Sequence, residues 1–401
     1  MNESSDATGS PRAVGERRPF AMLVPIMVVV LSAFLIIGVA LPVLPLHVNH
    51  GLGLGTFVVG LVAGSQFAAS LISRVWSGAY ADTRGAKGAV VVGLLTATAG
   101  GILYLLSLGF VGTPRVSVSI LLVGRALLGG AESFIMTGAL SWGLALVGAQ
   151  SAGKVIAWVG TAMFAALAVG APIGTALYGI GGFAVVGLAT TLVPLVALLF
   201  AAPLSAVPPQ GGHRPSLTTV AGAVWMPGLG AALSSIGFGA ILAFSALLFA
   251  DRGWLPVWLP FSAFATSLIV ARVLFGKLPD RLGGARVALV TVFVEAAGLA
   301  LIWWGPAEIW AAVGAVLTGI GYSLVYPGFG VEAVRRAPPQ SRGLAMGAYT
   351  AFLDVALGLG SPALGLIAGS AGLGAVFLAS AVVVLGAAPI ALRLLAKRPQ
   401  N

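Results

Sequence analysis

The chain of 401 residues is 59% hydrophobic and 8% charged, with a formal net charge of +10 and no cysteine. Soluble domains are about 45–50% apolar and about 25% charged, so a water-soluble fold of this size is excluded and lipid must solvate most of the surface. The missing cysteines exclude disulfides and thiolate metal sites, while 57 glycines let membrane helices approach closely.

A polar tail, residues 1–19, leads into an apolar run over 20–46 that is too long for a signal-peptide core, so it is expected to stay as a first span. Further spans are predicted at 56–80, 88–110, 116–145, 154–179 and 181–204. A Pro- and Gly-rich linker at 205–219 follows. Six more spans are predicted at 220–249, 255–278, 285–305, 308–331, 343–369 and 371–396, before a short tail at 397–401. The expectation is an all-α polytopic protein of twelve transmembrane helices in two six-helix bundles, 20–204 and 220–396.

Orientation follows from Lys and Arg. Of 21 such residues, Arg115 and Arg252 fall on one side, Arg74, Arg125 and Arg272 fall within spans, and the rest fall with the two termini. The positive-inside bias predicts both termini in the cytoplasm. It also explains the basic charge without a nucleic-acid partner.

Two segments carry Arg-x3-Gly-x3-Asp-x2-Gly: Arg74, Gly78, Asp82 and Gly85, then Arg272, Gly276, Asp280 and Gly283, each pair 198 positions apart. Gly78 and Gly276 are expected to admit a neighbouring helix, the acids to meet helix N-termini or the flanking cations Lys87 and Arg281, and the last glycines to make the turn. A second spacing of 190 links Gly129 with Gly319 and Pro172 with Pro362. Internal repeats in a membrane chain point to a transporter. Gly170, Pro172, Gly174 and Pro362 are expected to pack and bend their helices.

Charges inside spans are expensive and normally pair or face a cavity. Arg125 and Glu132 lie two turns apart on one face of the fourth predicted span, and Asp354 lies near the middle of the eleventh. Asp354 is expected either to be neutral or to pair with a cation such as Arg125. Gln66, Tyr322 and Tyr326 are candidates for a cavity wall, Tyr322 being the 190-offset counterpart of Glu132. Glu295 is expected to be structural, Glu332 and Arg335 to form an interfacial pair, and His47, Asn49 and His50 to sit in an exposed loop. Walker, H-E-x-x-H and G-x-S-x-G motifs are absent, so the sequence gives no support to ATP-driven transport, metal sites, cofactors or catalysis.

The first turn, Gly78 to Lys87, resembles the G-x-L-A-D-R-x-G-R-R/K signature of the major facilitator superfamily, with Thr83 and Ala86 departing from it. Arg125-x3-Gly129 resembles that family's fourth-helix motif, and Gly170–Gly174 resembles its antiporter signature, with Ala171 before Pro172. Residues 44–90 are similar to the bacterial YhhS/YfcJ-type members, labelled arabinose-efflux-like permeases. The resemblance implies a bacterial inner-membrane protein with a cavity between helices 1, 4, 7 and 10. It implies rocking of two bundles, latched by the repeated turns in the outward-open state, and a role for Arg125 in proton transfer. The leading reading is a monomeric, proton-coupled exporter of a small organic molecule, with protons, cargo and bilayer as its partners. A proton symporter or facilitator importing a sugar or metabolite, and a non-transporting membrane sensor, remain as alternatives. Helices 1 and 7 offer few polar groups, chiefly Ser32, Ser234, Ser235 and Trp225, which favours apolar or amphipathic cargo over sugars.

Overall fold

A computed structural model describes residues 12–148, 152–207, 217–337 and 342–396. The outer parts of both tails (1–11 and 397–401) and most of the expected linker (208–216) lie outside the described residues. Among the described residues every regular element is helical.

Helix α1 (Arg12–Ala40) ends just before Pro42, which has no N–H to continue the ladder. The chain resumes as α2 (Val43–Leu46) and a wider π-helical turn, His47–Gly51. Next come α3 (Thr56–Arg84), α4 (Ala86–Leu108), α5 (Pro114–Val147) and α6 (Ala152–Ala201). Helix α6 is interrupted at Gly181 and Gly182, whose φ of 63° only glycine adopts readily, so its two arms are separate crossings. The second half comprises α7 (Leu217–Asp251), α8 (Leu259–Phe275), α9 (Leu278–Leu282), α10 (Gly284–Trp304), α11 (Glu308–Arg336), α12 (Arg342–Ala371), α13 (Leu373–Leu385) and α14 (Ala387–Ala396).

Ten helical stretches are long and apolar enough to cross a membrane. Splitting α6 at its glycines and adding the 17-residue apolar α8 brings the crossings among the described residues to twelve. The two repeated turns differ in one respect. The first copy runs unbroken through α3, but in the second Pro279 removes a donor, so α8 stops at Phe275 and α9 starts separately.

The repeat extends to the surface. Ile72, Val75 and Trp76 are exposed, and so are Val270, Val273 and Leu274, each 198 positions later. These apolar stripes, one per half, are surfaces for lipid tails. Contacts between the halves lie towards the end that carries the short loops before Thr56 and Leu259. There Thr56 Oγ1 donates to the Gly365 carbonyl at 2.8 Å, and Ser262 Oγ donates to the Ala168 carbonyl at 2.9 Å. A Cβ on Gly60 would come within 2.2 Å of the Ser361 carbonyl, and one on Gly64 within 2.6 Å of the Gly358 carbonyl. Arg74, further along α3, also reaches across to the other half, and the helix continues from there to the first repeated turn.

Candidate functional site

Midway along the crossings, polar side chains from both halves converge. Arg74 on α3 reaches across to Asp354 on α12, Nε to Oδ2 at 2.5 Å. The aspartate side chain is 1% exposed and the arginine 30%, so the pair is buried on one flank and open on the other. Asp354 was expected to be neutral or to pair with a cation such as Arg125; it pairs with a cation, but the cation is Arg74. Arg125 is 1% exposed and donates from Nε to the Val62 carbonyl at 3.1 Å and from Nη2 to Ala63 at 3.4 Å, while Nη1 has no partner among the described residues. It holds α5 against α3. Nor does it pair with Glu132, whose Oε2 accepts from Gln66 Nε2 at 2.7 Å. Glu132 stays within electrostatic reach of Asp354, Arg74 and Arg125.

The close seating of α5 on α3 depends on Gly129, where a Cβ would come within 1.9 Å of the Gln66 carbonyl. Its repeat partner Gly319 meets the Phe264 carbonyl in the same way, at 2.3 Å. Gln66 and Phe264 are themselves 198 positions apart, so the two halves share one packing register.

The second half supplies an aromatic wall. Tyr322 stacks on Phe238 with centroids 5.3 Å apart, and Tyr326 lies 6.1 Å from Tyr322 and 5.1 Å from Tyr349. The Tyr322 hydroxyl meets Ser235 Oγ at 3.2 Å, and the Tyr326 hydroxyl donates to Thr350 Oγ1 at 3.3 Å. Arg272, the counterpart of Arg74, lies with its guanidinium carbon 5.3 Å from the Phe164 ring centre. Tyr326 is within electrostatic reach of both Arg74 and Arg272. The two arginines, grouped with the rim turns in the sequence, therefore belong to the centre. Sequence reasoning missed Phe164 altogether; its 190-position offset from Asp354 was available as a signal.

The turns themselves behave as expected at two positions. Gly85 and Gly283 have φ of 90° and 94°, which a side chain would strain. Gly78 departs from expectation: a Cβ there meets nothing within 4 Å. At Gly276 the nearest atom is the Arg272 carbonyl one turn back, so neither glycine admits a neighbouring helix in this state. Lys87 Nζ donates to the Ala202 and Leu204 carbonyls, both at 2.7 Å, tying the first turn to the end of α6 in its own half. Asp280 and Arg281 are exposed, and Asp82 is exposed with an interaction of its own.

Other expectations are corrected by packing. His47 is 6% exposed and stacks on Phe183 at 4.0 Å, so it is part of the core; His50 is exposed. Glu332 pairs with Arg336, one turn away, in place of Arg335. Gly170 and Gly174 pack on Gly38 and Val39 of α1 within one half, whereas Pro362 meets Gly60 and Gly64 across the halves. Glu295 is fully buried and accepts from Ser234 Oγ at 2.5 Å. Among the described residues no cluster of His, Asp and Glu has the form of a metal site.

Comparison with known proteins agrees with this architecture. The family model of the Major Facilitator Superfamily matches residues 26–261 and 258–401. The chain is 42% identical over 364 residues to an uncharacterized MFS-type transporter of Salmonella typhimurium, covering 90% of this chain and 93% of that protein. It is 40% identical over 400 residues to one of Pseudomonas aeruginosa, covering 99% and 100%. Among solved structures, a bacterial homolog of the human lysosomal transporter Spinster, inward-facing and unoccupied, superposes with a TM-score of 0.73 at 14% identity, over 95% of this chain and 98% of that one. The nucleoside transporter NupG superposes with a TM-score of 0.69 at 17% identity, over 94% and 100%. The chain belongs to the major facilitator superfamily and is a multi-pass secondary transporter.

Proposed function

We propose that the protein is a proton-driven exporter of small organic molecules, working as a monomer in the bacterial inner membrane with both termini in the cytoplasm. Residues 20–204 rock against 220–396 about the linker at 205–219. With that orientation the short-loop end faces outward, and the present arrangement, joined at that end, is the inward-facing state.

The observation that carries the reading is the Arg74–Asp354 bridge, an ion pair that joins the two halves midway through the crossings. A proton on Asp354 removes the charge that holds Arg74. The halves then lose a contact at the centre, and the short-loop end is freer to part. Glu132, held by Gln66 and within electrostatic reach of Asp354, is placed to share the proton. Because the bridge has one exposed flank, cargo and proton act on one site in turn, which is the requirement for exchange. The repeated turns, with Gly78, Asp82, Gly85, Lys87, Gly276, Asp280, Arg281 and Gly283, act as latches at the opposite end in the outward-facing state. Gly170, Pro172 and Gly174 serve to pack and bend α6. The partly exposed ring of Tyr326, backed by the buried Tyr322, suits cargo with an apolar body.

A thermal-shift screen of metabolites and drugs identifies a ligand, because a compound bound only by the folded state raises apparent stability. In proteoliposomes that ligand is expected to move against its gradient when protons flow the other way. Full-rate movement without a proton gradient, unchanged in Glu132→Gln and Asp354→Asn, would refute coupling; movement in the same direction as the proton would establish symport instead.

A further inference from the structure

The two halves treat one feature differently. Arg74 and Arg272 are repeat counterparts, and Asp354 is the counterpart of Phe164 by the 190 spacing that links Pro362 with Pro172. The structure keeps that correspondence in its contacts. Gly64 approaches the Gly358 carbonyl, and their counterparts Ser262 and Ala168 are joined by a hydrogen bond at 2.9 Å. Arg74 faces Asp354 at 2.5 Å, and Arg272 faces Phe164 at 5.3 Å. One site holds an arginine with its carboxylate; its twin holds an arginine with the carboxylate replaced by an aromatic ring.

Arg272 is left short of partners. Its guanidinium carries five N–H donors. One reaches the Ser323 carbonyl at a long 3.4 Å, and no carboxylate pairs with it among the described residues. A ring face attracts the cation but accepts none of the remaining hydrogen bonds as a carboxylate does. A guanidinium at this depth in a membrane protein normally has a counter-charge or faces an aqueous cavity. Arg272, Phe164 and Tyr326 each keep part of their surface exposed, so the group is not sealed off from an incoming molecule.

We propose that Arg272 seats the anionic group of the cargo, and that the cargo is an organic monocarboxylate with an aromatic or aliphatic body. Its carboxylate takes the place beside Arg272 that Asp354 takes beside Arg74, in the forked geometry that guanidinium favours. The body lies against Phe164 and Tyr326, whose faces supply apolar area, with the buried Tyr322 packed behind them. The inference rests on the transporter reading above and names its substrate class.

The test is calorimetric binding to the purified full chain in detergent at neutral pH, with no gradient. Benzoate, phenylacetate and hexanoate are each compared with the corresponding neutral amide. At least one acid is expected to bind tenfold or more tightly than its amide. Arg272→Gln should remove that preference, and Arg272→Lys should keep part of it. Phe164→Asp, which restores the twin bridge, should lose acid binding although Arg272 is intact. Arg286→Gln, at an exposed arginine on α10, should bind as the parent does. No preference for any acid, or an unchanged preference in both Arg272→Gln and Phe164→Asp, would overturn the proposal. If Arg272→Gln does not fold, Phe164→Asp and Arg272→Lys decide it. Binding without a gradient is independent of coupling, so acids held through Arg272 but moved without protons would refute the exporter reading alone.

Discussion

Neutralising Asp354 should open the short-loop end of the protein. The Arg74–Asp354 contact is a hydrogen bond between two charged groups, a class worth about 1.5–3 kcal/mol. Arg74 keeps 30% of its side chain exposed, so solvent recovers part of that and about 2 kcal/mol is a fair figure for what Asp354→Asn removes from the present state. That shifts a two-state equilibrium by about thirtyfold. The chain has no cysteine, which makes a single-cysteine reporter clean. Ser361 is 2% exposed, wedged against Gly60 between the halves, and Ser361→Cys is a small change. A membrane-impermeant maleimide applied from the short-loop side should label this cysteine slowly, and about ten- to thirtyfold faster when Asp354→Asn is added. Arg74→Gln should do the same, and the double variant should label no faster than either single one, because the two remove one interaction. Labelling within about twofold of the parent in both single variants would refute the claim that the bridge holds the halves together at this end.

Further predictions concern the packing around the site. Gly129→Ala drives a Cβ into the Gln66 carbonyl and should cost about 1–3 kcal/mol, read as a lower Tm in detergent, whereas Gly130→Ala, with open space around it, should not lower Tm. Gln66→Leu removes the donor to Glu132 and should cost about 1–3 kcal/mol if Glu132 is left without a replacement partner; a Tm equal to the parent's would show that the carboxyl had found one. Lys87→Met loses two bonds to carbonyls after α6 and should speed proteolytic cleavage in the linker that follows, with little change in Tm because the residue is at the surface. Unchanged cleavage would mean those bonds do not fix the linker.

The repeat, the helices and the turns were readable because they rest on local rules. Apolar length marked the spans, including the separation of 154–179 from 181–204 that the structure makes at Gly181 and Gly182, and Gly85 and Gly283 marked turns whose φ lies where only glycine is relaxed. The partner of Asp354 was not readable. Its bridge joins residues 280 positions apart, and the sequence presented three arginines within spans with no rule for choosing among them. Arg125 was one candidate, but its Nε and Nη2 donate to the carbonyls of α3, away from the acid. His47 misled for a related reason: a histidine near a predicted loop looks exposed until Phe183, distant in sequence, is folded onto it. The motif boundaries also concealed a division of labour. Arg74 and Arg272 open the same repeated motif as the rim glycines, yet eleven residues separate each from its rim glycine, about three turns of helix in α3.

The claim that a proton on the central carboxylates drives cargo outward is tested most directly by watching both movements at once. Proteoliposomes are loaded with a pH-sensitive dye and with the ligand found by thermal shift, then diluted into ligand-free buffer at the same pH. As ligand leaves, the lumen should acidify, since exchange brings protons in, and the Glu132→Gln, Asp354→Asn double variant should show no acidification. Ligand loss from the parent protein with a flat lumenal pH, or with alkalinisation, would contradict the account.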